Sequence, residues 1–176
     1  MRHYPAQTVL LGLVIVLGGC SPDISNPMSD APSFARNENA GTNGATRHIQ
    51  GTLETTESGT LIPGIPPMMQ RHLEGSGVAS HLGRFTVEGD ILLNLATASG
   101  TGTGSYTAAN GDMLHYTATG QAVVAAGIAT VTENVTIVGG TGRFAGATGT
   151  LTVVRRVVQA TGAATGTLDG MIVLDK

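Results

Sequence analysis

From Thr46 onward, hydrophobic and polar positions alternate with a period of two. In Arg47–Thr56, Ile49, Gly51 and Leu53 share one face, while His48, Gln50, Thr52 and Glu54 share the other. Arg84–Leu95 opens the same way, with Phe85 and Val87 opposite Arg84, Thr86 and Glu88. Successive side chains of a strand point to opposite faces, so this alternation predicts half-buried β-strands rather than helices. Gly75–Leu82, Gly102–Ala108, Met113–Ala122, Ile128–Val138, Ala147–Val158 and Thr165–Leu174 bring the set to eight segments. Turns such as Asn110-Gly111-Asp112 and Gly139-Gly140 separate them. Asn-Gly is a strong hairpin signal because both residues tolerate the positive φ of a tight turn. A closed sheet leaves no exposed edge, and glycines within strands suit the bends of a small barrel. The expectation is an all-β domain over residues 46–176: an eight-stranded antiparallel up-and-down barrel, with a sandwich as the alternative.

One segment breaks the pattern. Residues 58–74 carry Leu61, Ile62, Ile65, Met68 and Met69, interrupted by Pro63, Pro66 and Pro67. This reads as a long apolar loop, which needs cover from water. It is expected to fold over a barrel opening, pack against another subunit, or form an adaptable lid through Met68 and Met69.

The N-terminal part reads differently. Arg2 and His3 precede an apolar run from Val9 to Leu17, broken only by Gly12. The run is too short to span a bilayer core of about 20 apolar residues and describes an export signal over residues 1–19. Leu17-Gly18-Gly19-Cys20 then resembles the lipobox of bacterial lipoproteins, and Cys20 is the only cysteine of the chain. That resemblance implies a diacylglyceryl group on the Cys20 sulfur, cleavage just before it, and acylation of the new N-terminus. Several acyl chains anchor stably where one would be marginal. Ser21, rather than Asp, follows the cysteine. By the resemblance this points to the outer membrane of a bacterial envelope. Residues 20–45 hold Pro22, Pro27 and Pro32 among Ser, Asn and Asp without apolar period, which predicts a disordered tether, lipidated at Cys20 as the resemblance implies.

Charge and composition narrow the function. The 176 residues hold nine basic and twelve acidic side chains, for a formal charge of -3; without Arg2 it is -4. Nucleic acid binding needs a basic patch to displace phosphate counterions, and single strands need aromatic platforms. Aromatics are only 3% of the chain and Trp is absent, so nucleic acid is not an expected partner. A lone cysteine excludes an intrachain disulfide and a Cys-rich zinc site. The histidines His48, His72, His81 and His115 form neither H-x-H nor H-E-x-x-H, so no metal site is preset and no cofactor is implied. Gly140-Thr141-Gly142-Arg143-Phe144-Ala145 meets the loose dinucleotide pattern, but Leu151–Val154 after it reads as strand where a helix is required. It is expected to be a hairpin turn, with Phe144 plugging one barrel end.

Val135-Thr136-Ile137-Val138-Gly139-Gly140-Thr141-Gly142-Arg143-Phe144-Ala145-Gly146 resembles the strand–turn–strand signature shared by plant allene oxide cyclases and dirigent proteins. Ser80–Phe85 and Thr107–Asp112 are similar to bacterial proteins assigned to the same barrel type. The resemblance implies an eight-stranded, calycin-like barrel with a central cavity, and a homo-oligomer. Gly139, Gly140, Gly142, Phe144 and Gly146 are then structural turn residues. Neither the cyclases' catalytic region nor the dirigent pocket can be placed on this chain, so their activities do not carry over.

Side chains that could face the interior are the remaining candidates. Arg155-Arg156 must send one guanidinium inward, where it needs a carboxylate such as Glu88 or Glu133, or an anionic ligand. Met68, Met69, Arg84, Glu88, His115, its neighbour Tyr116, and Glu133 are the candidate ligand-binding residues. No nucleophile or acid–base constellation is visible, so no catalytic residue is assigned and an enzyme is less expected than a non-enzyme. The leading expectation is a membrane-anchored envelope lipoprotein whose barrel binds a small apolar ligand. A structural protein with a solid barrel, and a cyclase- or isomerase-type enzyme on a lipid-derived substrate, are the alternatives.

Overall fold

A computed structural model describes residues 44–63 and 67–175. The expected signal segment, Cys20, nearly all of the tether and Ile65 lie outside these residues. Eight strands form: β1 (Ala45–Ile62), β2 (Met68–Ala79), β3 (Gly83–Asn94), β4 (Ser99–Ala108), β5 (Met113–Ala125), β6 (Ile128–Gly140), β7 (Thr148–Val158) and β8 (Ala163–Leu174). Each pairs antiparallel with its neighbours in sequence, and β1 closes against β8 to complete the barrel. All eight segments expected from alternation are strands.

Inside and outside follow the period of two. On β7, Leu151, Val153, Arg155 and Val157 point inward, while Thr150, Thr152, Val154 and Arg156 point outward. The interior is mainly apolar, Arg155 and its carboxylate partners apart, and the outer face is rich in Thr, Gln, Glu and Arg with scattered hydrophobics such as Val78 and Val138. A lipid-spanning barrel has the opposite arrangement, with an apolar band outside.

The apolar segment at 58–74 departs from the expectation of a loop. Its residues extend β1 to Ile62 and begin β2 at Met68, paired in register down to Ile62 opposite Met68. Pro63 and Pro67 flank a ladder that ends with Ile62 opposite Met68, so neither has to donate to it. Leu61 is 60% exposed and Ile62 39%, so they do not lie buried across an opening. β8 pairs with β1 only as far as Thr56, opposite Ala163, and the next contact is Glu57 N–H donating to the Gly162 carbonyl at 2.9 Å. The hairpin therefore overhangs its neighbour.

The two ends of the barrel differ. One holds the turns β2–β3, β4–β5 and β6–β7, and it is plugged. Phe144, on a short 3-10 turn (Gly142–Phe144), is fully buried with Ile49, Leu114, Ile137 and Ile172. Arg143 straps this end. Its Nη2 donates to the Leu82 carbonyl at 3.2 Å, its Nε lies 3.7 Å from Asp112 Oδ2, and its guanidinium sits 4.7 Å over the Phe144 ring. Gly142 makes the turn possible at φ 55°, a conformation strained for other residues, and Gly146 closes it at φ 72°. Gly140 has no room for a side chain, since an added Cβ would meet the Phe144 carbonyl at 2.6 Å. The glycine-rich motif is thus a turn that seats a plug, and strand β7 follows it.

Gly142→Val should cost about 1–3 kcal/mol through backbone strain at positive φ. Chemical denaturation of wild type and variant measures this, and an unchanged midpoint would show that the turn does not depend on the glycine.

Candidate functional site

The opposite end, between the turns β3–β4, β5–β6 and β7–β8, opens into a cavity of about 250 Å³. Its walls are built by subtraction. Tyr106 faces inward on β4, and parity then turns Gly100, Gly102 and Gly104 inward as well. Gly100, Gly102 and, from β5, Gly120 line the cavity, and their missing side chains leave it empty. Leu53, Leu73, Val87, Ile91 and Val153 supply apolar wall, and Leu93, Leu95 and Val124 line it from the strand ends and turns of the mouth.

Its floor is charged. Arg155 has a side chain only 2% exposed, yet it is fully paired. Nε and Nη2 donate to the two Glu133 carboxylate oxygens at 3.0 and 2.8 Å, and Nη1 donates to Glu57 Oε1. The other Glu57 oxygen accepts from Arg71 Nη1 at 2.6 Å. Arg71 Nε in turn lies 3.3 Å from Met69 Sδ. The arginine stem crosses Gly166 on β8 to reach β1, and a Cβ there would come within 2.7 Å of Arg155 Cγ. Burial alone would lower the Arg155 pKa, but the hydrogen bonds and charge of Glu133, then of Glu57, outweigh it and raise the pKa.

Two phenols complete the floor. Phe85 meets Tyr106 edge-on at 5.5 Å between centroids, and Tyr106 meets Tyr116 at 4.9 Å. The Tyr116 hydroxyl lies over backbone that only glycine permits: a Cβ on Gly89 or Gly104 would meet it at 2.6 or 2.5 Å. Burial, then the Glu133 charge, pushes the Tyr116 pKa up to about 12, with Arg155 opposing. Tyr106 is raised further, by burial first and then by Tyr116 and Glu133. Neither hydroxyl has a hydrogen-bond partner among the described residues. Thr55 Oγ1 is the one side-chain N or O atom fully shut off from both water and cavity that lacks a partner among the described residues, so every such atom of the Arg155 network is satisfied.

Of the candidates read from sequence, Tyr116 and Glu133 line the cavity. Arg84 and Glu88 are exposed on the outer face, and the Glu88 side chain is 75% exposed. The parity that turns Phe85 and Val87 inward requires this, so Glu88 cannot partner Arg155. His115 is half-buried on the outer face beside a β-bulge at His115/Tyr116. Met68 and Met69 are half-buried at the start of β2, outside the cavity lining. Glu57, Arg71 and Tyr106 were not among the candidates. Glu57 and Arg71 fall at the edge of and within the segment read as a loop, although the alternation Leu53, Thr55, Glu57 already turns Glu57 inward. His48 pairs with Asp169 and His72 with Asp90 on the outer face, and no group of three metal-ligating side chains occurs among the described residues.

No family model matches the chain, and no curated protein sequence matches it. Solved structures do resemble it. The pterocarpan synthase dirigent protein GePTS1 superposes with a TM-score of 0.57 at 15% identity, over 85% of this chain and 98% of its own. The pterocarpan synthase dirigent protein PsPTS1 gives 0.56 at 15% identity, over 75% and 97%. The fold is therefore a dirigent-like eight-stranded barrel.

Arg155→Met should cost about 3–5 kcal/mol, because it strands two carboxylates in a buried site. Denaturant melts would show it, and a loss below 1 kcal/mol would mean that water reaches Glu57 and Glu133 freely. In a Tyr4→Phe background, near-UV absorbance should show neither remaining phenol ionising at its ordinary pH of about 10. The raised pKa values favour the folded state below the unfolded value. Stability should accordingly fall as pH rises from about 10 towards 12.

Proposed function

We propose that the barrel is a binding module that takes one small, largely apolar molecule into the cavity. The carrying observation is the contrast between the ends: one packed solid around Phe144, the other emptied by inward glycines over a polar floor. Binding pockets combine apolar walls with a few converging polar groups in this way. A purely structural barrel would be expected to fill its interior at both ends, since eight strands can be closed by side chains alone. The floor also favours binding over catalysis. Its four charged groups are engaged with one another, so no carboxylate stands spare as a general base.

We further propose that this module is held at the outer membrane of a bacterial envelope through lipidated Cys20. Support comes from the lipobox-like Leu17-Gly18-Gly19-Cys20 and from the position of the only thiol within it.

A neutral apolar fluorophore such as N-phenyl-1-naphthylamine should bind the wild type saturably. Gly100→Val should weaken this by about tenfold or more, because the added side chain enters the cavity. A Cβ there would meet Ile91 Cγ2 and the Leu92 carbonyl oxygen at 3.3 Å, so these neighbours must shift slightly, and a thermal melt establishes that the variant is folded. Absence of binding to the wild type, or equal binding to a folded variant, would point away from the cavity. Cys20→Ser should release the protein from membranes and abolish acyl labelling. A wild type that takes up no labelled acyl chain would remove the anchor.

A further inference from the structure

We infer that the cavity is selective for an uncharged ligand, an apolar body bearing one hydrogen-bonding oxygen such as an alcohol or ketone, and that its floor rejects carboxylates and amines. This rests on the cavity-binding reading and sharpens it.

The first ground is charge balance. Arg71, Arg155, Glu57 and Glu133 line the cavity, two of each sign. They form one chain, Arg71–Glu57–Arg155–Glu133, in which each carboxylate is engaged and all three Arg155 nitrogens donate to a carboxylate oxygen. Asp90 also reaches the wall, but its carboxylate is 63% exposed beside His72 on the outer face. An entering carboxylate would lose its water and find Arg155 engaged through all three nitrogens and Arg71 already bound to Glu57 through Nη1, with the negative charge of Glu57 and Glu133 close by. An entering ammonium would meet the converse arrangement. Desolvating an ion without a partner is costly, so either would be penalised.

The second ground is independent of charge. Tyr106, 97% buried by its 3% exposure, and Tyr116 both line the cavity with hydroxyls that no described residue engages. A phenol can donate and accept, so the pair can serve an alcohol or a carbonyl oxygen without any proton leaving the protein. The pairing of Tyr116 against Gly89 and Gly104 fixes where that oxygen would be received. Above it, the glycine-lined wall and the apolar mouth suit a hydrocarbon body. The cavity is small, at about 250 Å³, against the usual 300–1,000 Å³ of drug-sized sites.

The chain has no Trp, and Tyr106 and Tyr116 are its only tyrosines besides Tyr4. In a Tyr4→Phe background, tyrosine emission therefore reports on the cavity alone. Titrations with nonan-1-ol, nonanoate, nonylamine and nonane at neutral pH separate the possibilities. Nonan-1-ol should bind saturably, with nonanoate and nonylamine weaker by about tenfold or more. Glu133→Gln leaves the floor with a net positive charge and should raise nonanoate relative to nonan-1-ol. Arg71→Gln leaves it negative and should raise nonylamine. If Glu133→Gln does not fold, Arg71→Gln carries the same test on a side chain already 21% exposed. An ion that binds the wild type as tightly as nonan-1-ol, or a ranking unmoved in the folded variants, overturns the inference. So does nonane matching nonan-1-ol, which would leave the binding reading intact. If none of the four binds, the cavity-binding reading falls and takes this inference with it.

Discussion

A guanidinium with almost no access to water sets the terms for the open half of this barrel. Arg155 cannot lose its proton, so its burial is tolerable only with carboxylates arranged around it. Glu133 comes from the adjacent strand β6, but Glu57 comes from β1, beyond β8, and the arginine reaches it only because Gly166 has no side chain. One ion network therefore ties β7 to strands on both sides of it. It also divides the interior, with the main apolar core on one side and a small cluster of Ala129, Val157 and Ala164 on the other. Such networks are weak evidence for added stability, since well-packed apolar residues often do as well. Their retention fits a role in shaping the cavity above them.

The rest of the interior is graded along the barrel axis by the size of inward residues. Large side chains gather at the plug, aromatic rings occupy the middle, and glycines line the upper wall. Each inward glycine acts locally: Gly89 and Gly104 make space for the Tyr116 hydroxyl, whereas Gly100 and Gly102 lie close against Ile91 and line the cavity. The same residue type thus serves both packing and emptiness. The neighbours on β3 and β5 decide which.

Much of this was legible in the sequence because a period of two is a strong signal once turns punctuate it. Phe85 and Val87 fix the face of β3, and the glycine-rich turn before β7 announces a hairpin rather than a nucleotide site. The same parity shows why Arg84 and Glu88 lie outside. The partners of Arg155 were less legible. Which carboxylates meet it depends on the stagger of strands around the closed sheet, a relation between segments about 20 and 100 residues away that no local pattern encodes. The prolines at 63, 66 and 67 obscured the strand on either side of them, and with it Glu57 and Arg71. The cavity is a sum over several strands of what is missing, and only the assembled barrel reveals it.

An even number of strands brings the start of β1 and the end of β8 to the same rim, where Ala45 pairs with Leu174. That rim is the plugged one. Whatever is attached ahead of β1 or behind β8 is joined to the barrel at the end opposite the cavity. If Cys20 carries a lipid, the stretch from it to Ala45 can reach at most about 90 Å, and it joins the barrel at the closed end. The point of attachment and the mouth would then lie at opposite ends of the barrel, so that exchange of contents would not have to displace the strand ends that carry the anchor.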